Sequence, residues 1–286
     1  MELKEIKNIF HKELKELYPK EEIDSFFFLM IDHYLHLERF VLALQPDLVL
    51  SKEEEQPLFE GLTALAKQEP IQHILGVTTF MDMDFKVNED VLIPRPETEE
   101  LVRWIVEDVK TGEPNKPLKI LDIGTGSGCL AISLAVHLPA AKVFAIDISD
   151  KALTVAKQNS ENLKADVTFI EADILNTEVL EQDFDIIVSN PPYVRMLEKE
   201  EMQQNVLGFE PHLALFVEND DPLIFYNKIT SLAVTHLRQE GRLYFEINQY
   251  LGKEMQQLLE EYHFKNIELR KDMFGNDRMI KGEVSH

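Results

Sequence analysis

The stretch LDIGTGSGCLAISLA, Leu121 to Ala135, decides the fold. An apolar run reaches Asp122 and Ile123, three glycines follow at alternate positions, Gly124, Gly126 and Gly128, and the chain resumes with apolar residues at helical spacing. Glycine permits a tight turn and a close approach of main chain to a ligand, and the first N–H groups of the helix that follows lack intrahelical partners. Strand, glycine turn and helix in that order form the first unit of an open α/β sheet, with a small polar ligand at the turn. Gly124, Thr125, Gly126, Ser127 and Gly128 are therefore candidate ligand-binding residues. Their spacing is G-x-G-x-G, not the G-x-G-x-x-G of dinucleotide-binding folds, so a pyrophosphate is not specifically indicated.

Outward from this turn, strand and helix alternate. Strands are read at LKILDIG, KVFAIDIS, VTFIEAD, FDIIVSN and GRLYFEI, helices at CLAISLAVHL, KALTVAKQNSENL, PLIFYNKITSLAVTHLRQ and GKEMQQLLEEYH, and two late strands at FKNIELRKD and RMIKGEV. The expectation is a doubly wound, mostly parallel, Rossmann-like α/β sheet of seven strands, with its ligand site at the carboxyl ends of the strands. Before it, Glu2 to about Lys67 carries apolar residues at three- and four-residue spacing, broken by Pro19, Pro46, Pro57 and Pro70, which predicts a small helical bundle. Phe26 to Met30, FFFLM, is assigned to the bundle core. FMDMDFKVNEDVLI reads as a β-hairpin turning at NED. The expected division is a helical domain over 1–75, a hairpin linker over 76–94 and a sheet domain over 95–286.

The first three strands of the sheet each bring an aspartate toward the carboxyl end: Asp122, Asp147 and Asp173. Those ends share one rim, and an acid about 20 residues beyond the glycine turn, at the end of the second strand, is placed to hold a ribose diol. Asp147 stands there. Nearby carboxylates favour an uncharged or cationic ligand over a phosphate, and S-adenosylmethionine, with its sulfonium and adenosine, meets that description. Asp147 and Asp173 are its candidate contacts. The plain alternative is that these aspartates cap helices or close turns.

Composition narrows the class. The chain has 286 residues, of which 44% are hydrophobic and 28% charged, as in a soluble globular protein. It has no apolar run long enough to span a membrane and no hydrophobic signal region at its start, so a cytoplasmic location is expected. A single cysteine, Cys129, rules out an internal disulfide framework or a cysteine-cluster metal site. His33, His36 and His73 have no metal-ligand companions at usable spacing, and no metal is expected. A net charge of −23 repels phosphate backbones, so direct nucleic-acid binding is not expected.

The fourth strand ends in SNPPYV, Ser189 to Val194. Each proline lacks an N–H and holds the residue before it extended, so Asn190 and Pro191 offer carbonyl oxygens with few local donors to satisfy them. With NPPY on the same rim as the glycine turn, the chain resembles the HemK/PrmC family of release factor glutamine methyltransferases. NPPY is shared with amino methyltransferases of nucleic-acid bases. The run EPIQHILGVTTFMDMDFKVNEDVLIPRPETEELV, Glu69 to Val102, with IPRPETE at Ile93 to Glu99, is what resembles the glutamine-modifying family, and the likeness extends over essentially the whole chain.

The resemblance implies a class I methyltransferase domain that uses S-adenosylmethionine to methylate the glutamine of the Gly-Gly-Gln motif in peptide chain release factors, recognised by the helical N-terminal domain of a monomeric enzyme. Asn190, Pro191 and Tyr193 are then the candidate catalytic residues, and Asn190, Pro191, Pro192 and Tyr193 the substrate-binding ones, with Asn190 also beside the cofactor. The Asn190 side-chain oxygen and the Pro191 carbonyl would each accept one N–H of the substrate amide, while Tyr193 walls its plane. IPRPETEE reads as a helix start, with Pro96 in the first turn and Thr98 or Glu97 as the cap, or else with Arg95 or Glu97 turned toward the site. Competing functions are a ribosomal-protein glutamine methyltransferase, an adenine amino methyltransferase of DNA or RNA, and an inactive binding module on the same fold.

Overall fold

A period of three to four residues before about position 76 and an alternation of strand and helix after it produce two different kinds of core. The computed structural model describes residues 1–112, 117–195, 197, 199, 204–217 and 221–285. It divides into two compact units, one of Met1–Val77 with the helix Gln204–Phe209, the other of the remaining described residues from Thr78 onward.

The first unit is built from α1 (Leu3–Leu14), α2 (Lys20–Leu35), α3 (Val41–Leu44), α4 (Lys52–Leu65) and α5 (Ile71–Leu75). Leu3, Ile6, Phe10 and Leu14 form the buried stripe of α1 and pack with Ile23, Phe27 and Ile31 of α2 and Leu58, Leu62 and Leu65 of α4. Full burial of each such side chain contributes roughly 1.5–3 kcal/mol. A reciprocal Ser51–Glu54 capping box starts α4. Within FFFLM, Phe26, Phe27 and Met30 are buried while Leu29 is exposed, because a helix cannot turn five consecutive residues to one side.

The second unit opens on a hairpin, β1 (Val77–Phe80) and β2 (Met83–Lys86). Its turn is Met81–Asp82, with φ of 50° and 60°, and not the NED segment at 88–90. A two-residue hairpin turn needs positive φ at both central positions and usually announces itself with Asn-Gly. Here two non-glycine residues are held there by tertiary contacts: Met81 is buried, and its N–H donates to Glu99 Oε1 at 2.9 Å.

There follow α6 (Pro96–Thr111), β3 (Lys119–Ile123), α7 (Cys129–His137), β4 (Lys142–Asp147), α8 (Asp150–Leu163), β5 (Val167–Glu171), β6 (Phe184–Ser189), β7 (Val194–Arg195), the Gln204–Phe209 helix as α9, α10 (His212–Leu215), β8 (Phe216–Val217), α11 (Ile224–His236), β9 (Leu237–Glu246), α12 (Gly252–Glu261), β10 (Lys265–Lys271) and β11 (Asp277–Glu283). The helix read through Gln239 ends at His236, since Leu237 already pairs with Phe184 as the first residue of β9.

The main sheet has seven strands in the order β10-β11-β9-β6-β3-β4-β5. β11 is antiparallel to both its neighbours, and the pairs from β9 through β5 are parallel. Strand alternation supplies two apolar faces. Leu121, Ile123, Ile187, Leu243 and Phe245 pack with Tyr226 and Ile229 of α11 and Met255 and Leu259 of α12. Ile120, Ile186, Val188 and Tyr244 pack on the other side with Leu101, Trp104 and Ile105 of α6 and Leu130, Ile132 and Leu134 of α7. A separate pair, β7 with β8, joins the chain just after NPPY to the segment before α11; two-residue strands carry no period that a sequence could show.

Candidate active site

Register brings the site together. Ile123 pairs with Ile146 and with Ser189, and Ser189 pairs with Phe245. One residue further along each strand therefore stand Gly124, Asp147, Asn190 and Glu246, in a row along the carboxyl rim.

On the β3–β4 side the rim is main chain. Gly124, Gly126 and Gly128 have φ of 78°, 54° and 83°, a region costly to residues with a Cβ. The N–H groups of Gly124 and Thr125 both donate to the Ile146 carbonyl, at 2.8 and 3.0 Å. That of Gly126 donates to Asp147 Oδ2 at 2.8 Å, while Asp147 Oδ1 accepts from Ser149 N–H at 2.9 Å. Asp147 thus ties the turn to the second strand and retains lone pairs for a ligand hydroxyl. A Cβ at Gly124 or Gly126 would meet open space, whereas one at Gly128 would lie 2.8 Å from Ile132 Cδ1 and 3.1 Å from Ala156 Cβ. The first two glycines leave room for a ligand; the third lets α7 and α8 close behind it. Ser127 is buried, and its carbonyl accepts from Asn159 Nδ2 at 2.9 Å, an amide that also holds Lys86 of β2.

Asp122 is wholly buried, and its Oδ2 accepts from Thr125 Oγ1 at 2.6 Å. Burial, opposed by that hydroxyl and reinforced by the nearby Asp147 charge, pushes its carboxyl up to about 7. Oδ1 closes no hydrogen bond of normal geometry, although the Ala131 N–H eases its charge. A buried carboxyl short of donors behind a turn with room for a ligand suits a cationic nucleoside. S-adenosylmethionine fits the residues present; Gly124, Gly126 and Asp147 would hold it. Desolvation pushes the Cys129 thiol up to about 12, which makes it a packed residue and no nucleophile at neutral pH. Asp173 lies past the end of β5 in a tight turn, where Oδ1 accepts from Leu175 N–H at 2.9 Å and Oδ2 from Asn176 Nδ2 at 2.6 Å.

On the β6–β9 side the rim is side chain. Ser189 Oγ donates to the Ile123 carbonyl at 2.6 Å, locking the last rung before the motif. Asn190 Nδ2 lies 3.4 Å from Thr98 Oγ1, and Thr98 Oγ1 donates to Glu246 Oε2 at 2.6 Å. Tyr193 OH donates to Glu246 Oε1 at 3.3 Å, and the Tyr193 carbonyl accepts from Asn248 Nδ2 at 3.3 Å. Burial raises the Glu246 carboxyl above its ordinary value, against the pull of the Thr98 hydroxyl and the Arg278 charge. Burial likewise raises the Tyr193 phenol, so it remains a donor. Neither Thr98 nor Glu97 caps α6: the N-cap is Arg95, whose side chain makes no capping bond, and Pro96 is the first helical residue. The Thr98 hydroxyl turns inward because buried Glu246 requires a donor. Arg95 Nη2 pairs with buried Glu210 Oε1 at 2.6 Å, and Glu210 Oε2 accepts from Ile93 N–H at 3.2 Å.

Gly124, Gly126, Asp147, Asn190 and Tyr193 therefore gather at one rim, with Asp173 beyond the end of β5. Glu246 and Glu210 escaped the sequence reading. For Glu246 the signal was present: an acid closing the apolar run LYFE at the carboxyl end of a core strand is the same sign that marked Asp147.

Solved structures with a similar fold include a methyltransferase from Pyrococcus furiosus, with TM-score 0.52 and 18% identity over 82% of this chain and 100% of that one. The human Mettl16 catalytic domain aligns with TM-score 0.55 and 16% identity over 82% of each chain. The sheet order, the glycine turn and the acid at the end of the second strand define the class of S-adenosylmethionine-dependent methyltransferases, and a methyltransferase-domain family model matches residues 114–276. A PrmC N-terminal domain model matches residues 8–76. The release factor glutamine methyltransferase of Flavobacterium psychrophilum is 56% identical over 281 residues, covering 98% of this chain and 99% of that one; that of Bacteroides thetaiotaomicron is 44% identical over 268 residues, covering 93% and 95%. The chain belongs to the release factor glutamine methyltransferase family.

Proposed function

We propose that this enzyme methylates the side-chain amide nitrogen of the glutamine in the Gly-Gly-Gln motif of peptide chain release factors, with Gly124, Thr125, Gly126, Ser127, Gly128 and Asp147 holding S-adenosylmethionine. When bound, that co-substrate supplies an electrophilic methyl group on a sulfonium. An amide nitrogen is a poor nucleophile because its lone pair is delocalised into the carbonyl, so the protein has to orient it and stabilise the positive charge it develops. Asn190 Oδ1 and the Pro191 carbonyl accept the two amide N–H groups, and Tyr193, anchored through its OH to Glu246, walls the amide plane.

The observation that carries this reading is the Asn190 side chain. Its Nδ2 faces Thr98 Oγ1 at 3.4 Å, while no donor among the described residues bonds Oδ1. Pro191 and Pro192 provide no N–H to take that oxygen. In this reading the helical unit, with its PrmC N-terminal match, recognises the release factor. The test is mass spectrometry of a recombinant release factor after incubation with the enzyme and isotopically labelled S-adenosylmethionine. A mass gain of one methyl on the Gly-Gly-Gln glutamine is expected. Label in ribosomal protein or in oligonucleotide, with none in the release factor, overturns the assignment.

A further inference from the structure

A primary amide offers two chemically opposite faces. If Asn190 is to accept an N–H, something has to keep its NH₂ from taking the place of its oxygen, and an amide rotates between the two settings at no steric cost. Behind Asn190 stands a short chain of polar groups, Asn190 Nδ2 to Thr98 Oγ1 to Glu246 Oε2, at 3.4 and 2.6 Å. Thr98 is 3% and Glu246 2% exposed, so water does not compete for the Thr98–Glu246 bond, while Asn190 is half-buried.

The polarity of this chain follows from its inner end. A carboxylate only accepts. The single Thr98 proton is therefore spent on Glu246, and toward Asn190 the threonine presents lone pairs alone. The Asn190 group facing Thr98 must then be the donor, NH₂, which turns Oδ1 to the opposite side. Glu246 itself is held from several directions: Tyr193 OH donates to Oε1, Tyr226 OH donates to its main-chain carbonyl at 3.1 Å, and the Arg278 guanidinium, which donates to the Ile247 carbonyl at 3.3 Å, joins the Thr98 and Tyr193 hydroxyls in opposing the upward push of burial and of the nearby Glu97 charge on its carboxyl. Remove the carboxylate and the Thr98 hydroxyl is free to donate to Asn190 Oδ1, which would present NH₂ to a substrate that itself offers N–H.

We infer that Thr98 and Glu246 are positioning residues: the Glu246 carboxylate, acting through the Thr98 hydroxyl, sets which end of the Asn190 amide faces the methyl-accepting nitrogen. This rests on the reading of Asn190 as the acceptor for the substrate amide.

The test is a set of variants assayed with release factor and radiolabelled S-adenosylmethionine. Thr98→Val, which keeps the shape and removes the hydroxyl, is expected to lower kcat about tenfold or more, with the KM for release factor and the Kd for S-adenosylmethionine changed less than about twofold. Thr98→Ser restores kcat to within about threefold of the parent. Glu246→Met, which leaves Thr98 without its acceptor, lowers kcat at least as far as Thr98→Val. In an Asn190→Ala background Thr98→Val changes the residual rate less than about twofold, because the group it positions is gone. The inference is overturned if Thr98→Ser is as slow as Thr98→Val, or if Thr98→Val slows the Asn190→Ala enzyme by the factor it imposes on the parent. If Thr98→Val fails to fold, Glu246→Met decides in its place: it is expected to slow the parent and not the Asn190→Ala enzyme, and an equal slowing of both overturns the inference. Full turnover by Asn190→Ala alone overturns the acceptor reading instead and is recognised separately.

Discussion

The two halves of the rim are built on opposite principles. After β3 the candidate ligand-binding surface is mostly main chain, shaped by the φ angles of Gly124 and Gly126 within a window of a few residues. After β6 it is mostly side chain, assembled from Thr98, Asn190, Tyr193 and Glu246 beside the Pro191 carbonyl, and the central Thr98–Glu246 bond joins residues 148 apart in sequence. A site made by omitting side chains needs only local backbone geometry. A site made by aiming them needs the whole sheet and a helix to be in register first. In the proposed reading the first kind holds a molecule that arrives with its own reactivity, and the second orients a reluctant partner.

The sharpest way to break this contrast is Asn190→Ala. Loss of a preplaced acceptor should lower turnover about 100-fold or more, while S-adenosylmethionine affinity, measured by calorimetry, moves little. A large loss of affinity would mean that the two halves are one site. The converse is Gly126→Val: at φ 54° a β-branched residue is strained, and its side chain would fill the open space beside the turn. S-adenosylmethionine affinity is expected to fall about tenfold or more, with the loss of rate recovered at saturating S-adenosylmethionine; a kcat defect that persists at saturation contradicts the division.

A smaller effect probes a buried side chain behind the main-chain half. Asp122 has a folded-state carboxyl raised to about 7 from 3.8. Between those values the unfolded chain releases a proton that the folded one retains, so the carboxyl weakens folding increasingly as pH rises through that window, and fully above about 7. Asp122→Asn removes the titration. Its thermal midpoint relative to the parent should therefore rise from pH 4 to pH 8 by a few degrees, on the order expected for one desolvated carboxylate. A difference that is flat with pH would show that Asp122 is not the titrating group.

The same contrast explains what was legible in the sequence. The glycine turn, Asp147 and NPPY each announce themselves locally, and the strands of the main sheet carry clear apolar periods. Thr98 was legible only as a candidate helix cap, because nothing within IPRPETE shows that a buried acid 148 residues away needs its hydroxyl. The hairpin turn at Met81–Asp82 was hidden because tertiary contacts, not turn-forming residues, hold its positive φ angles. β7 and β8 were invisible for want of length. What sequence conceals here is what only long-range contact creates.

One feature of the sheet bears on how the molecule comes into being. β11, later in sequence than β10, lies between β10 and β9 and pairs with both. During synthesis β10 therefore emerges with no strand to join, and β9 keeps a bare edge until residues 277–283 arrive. Vectorial growth cannot zip this sheet from one side; the final closure is a non-local insertion of the kind that slows folding and leaves edges open to other chains meanwhile. A truncation before Asp277 would delete β11, leave β10 unpaired and bare the edge of β9, and such a chain should be found in aggregates.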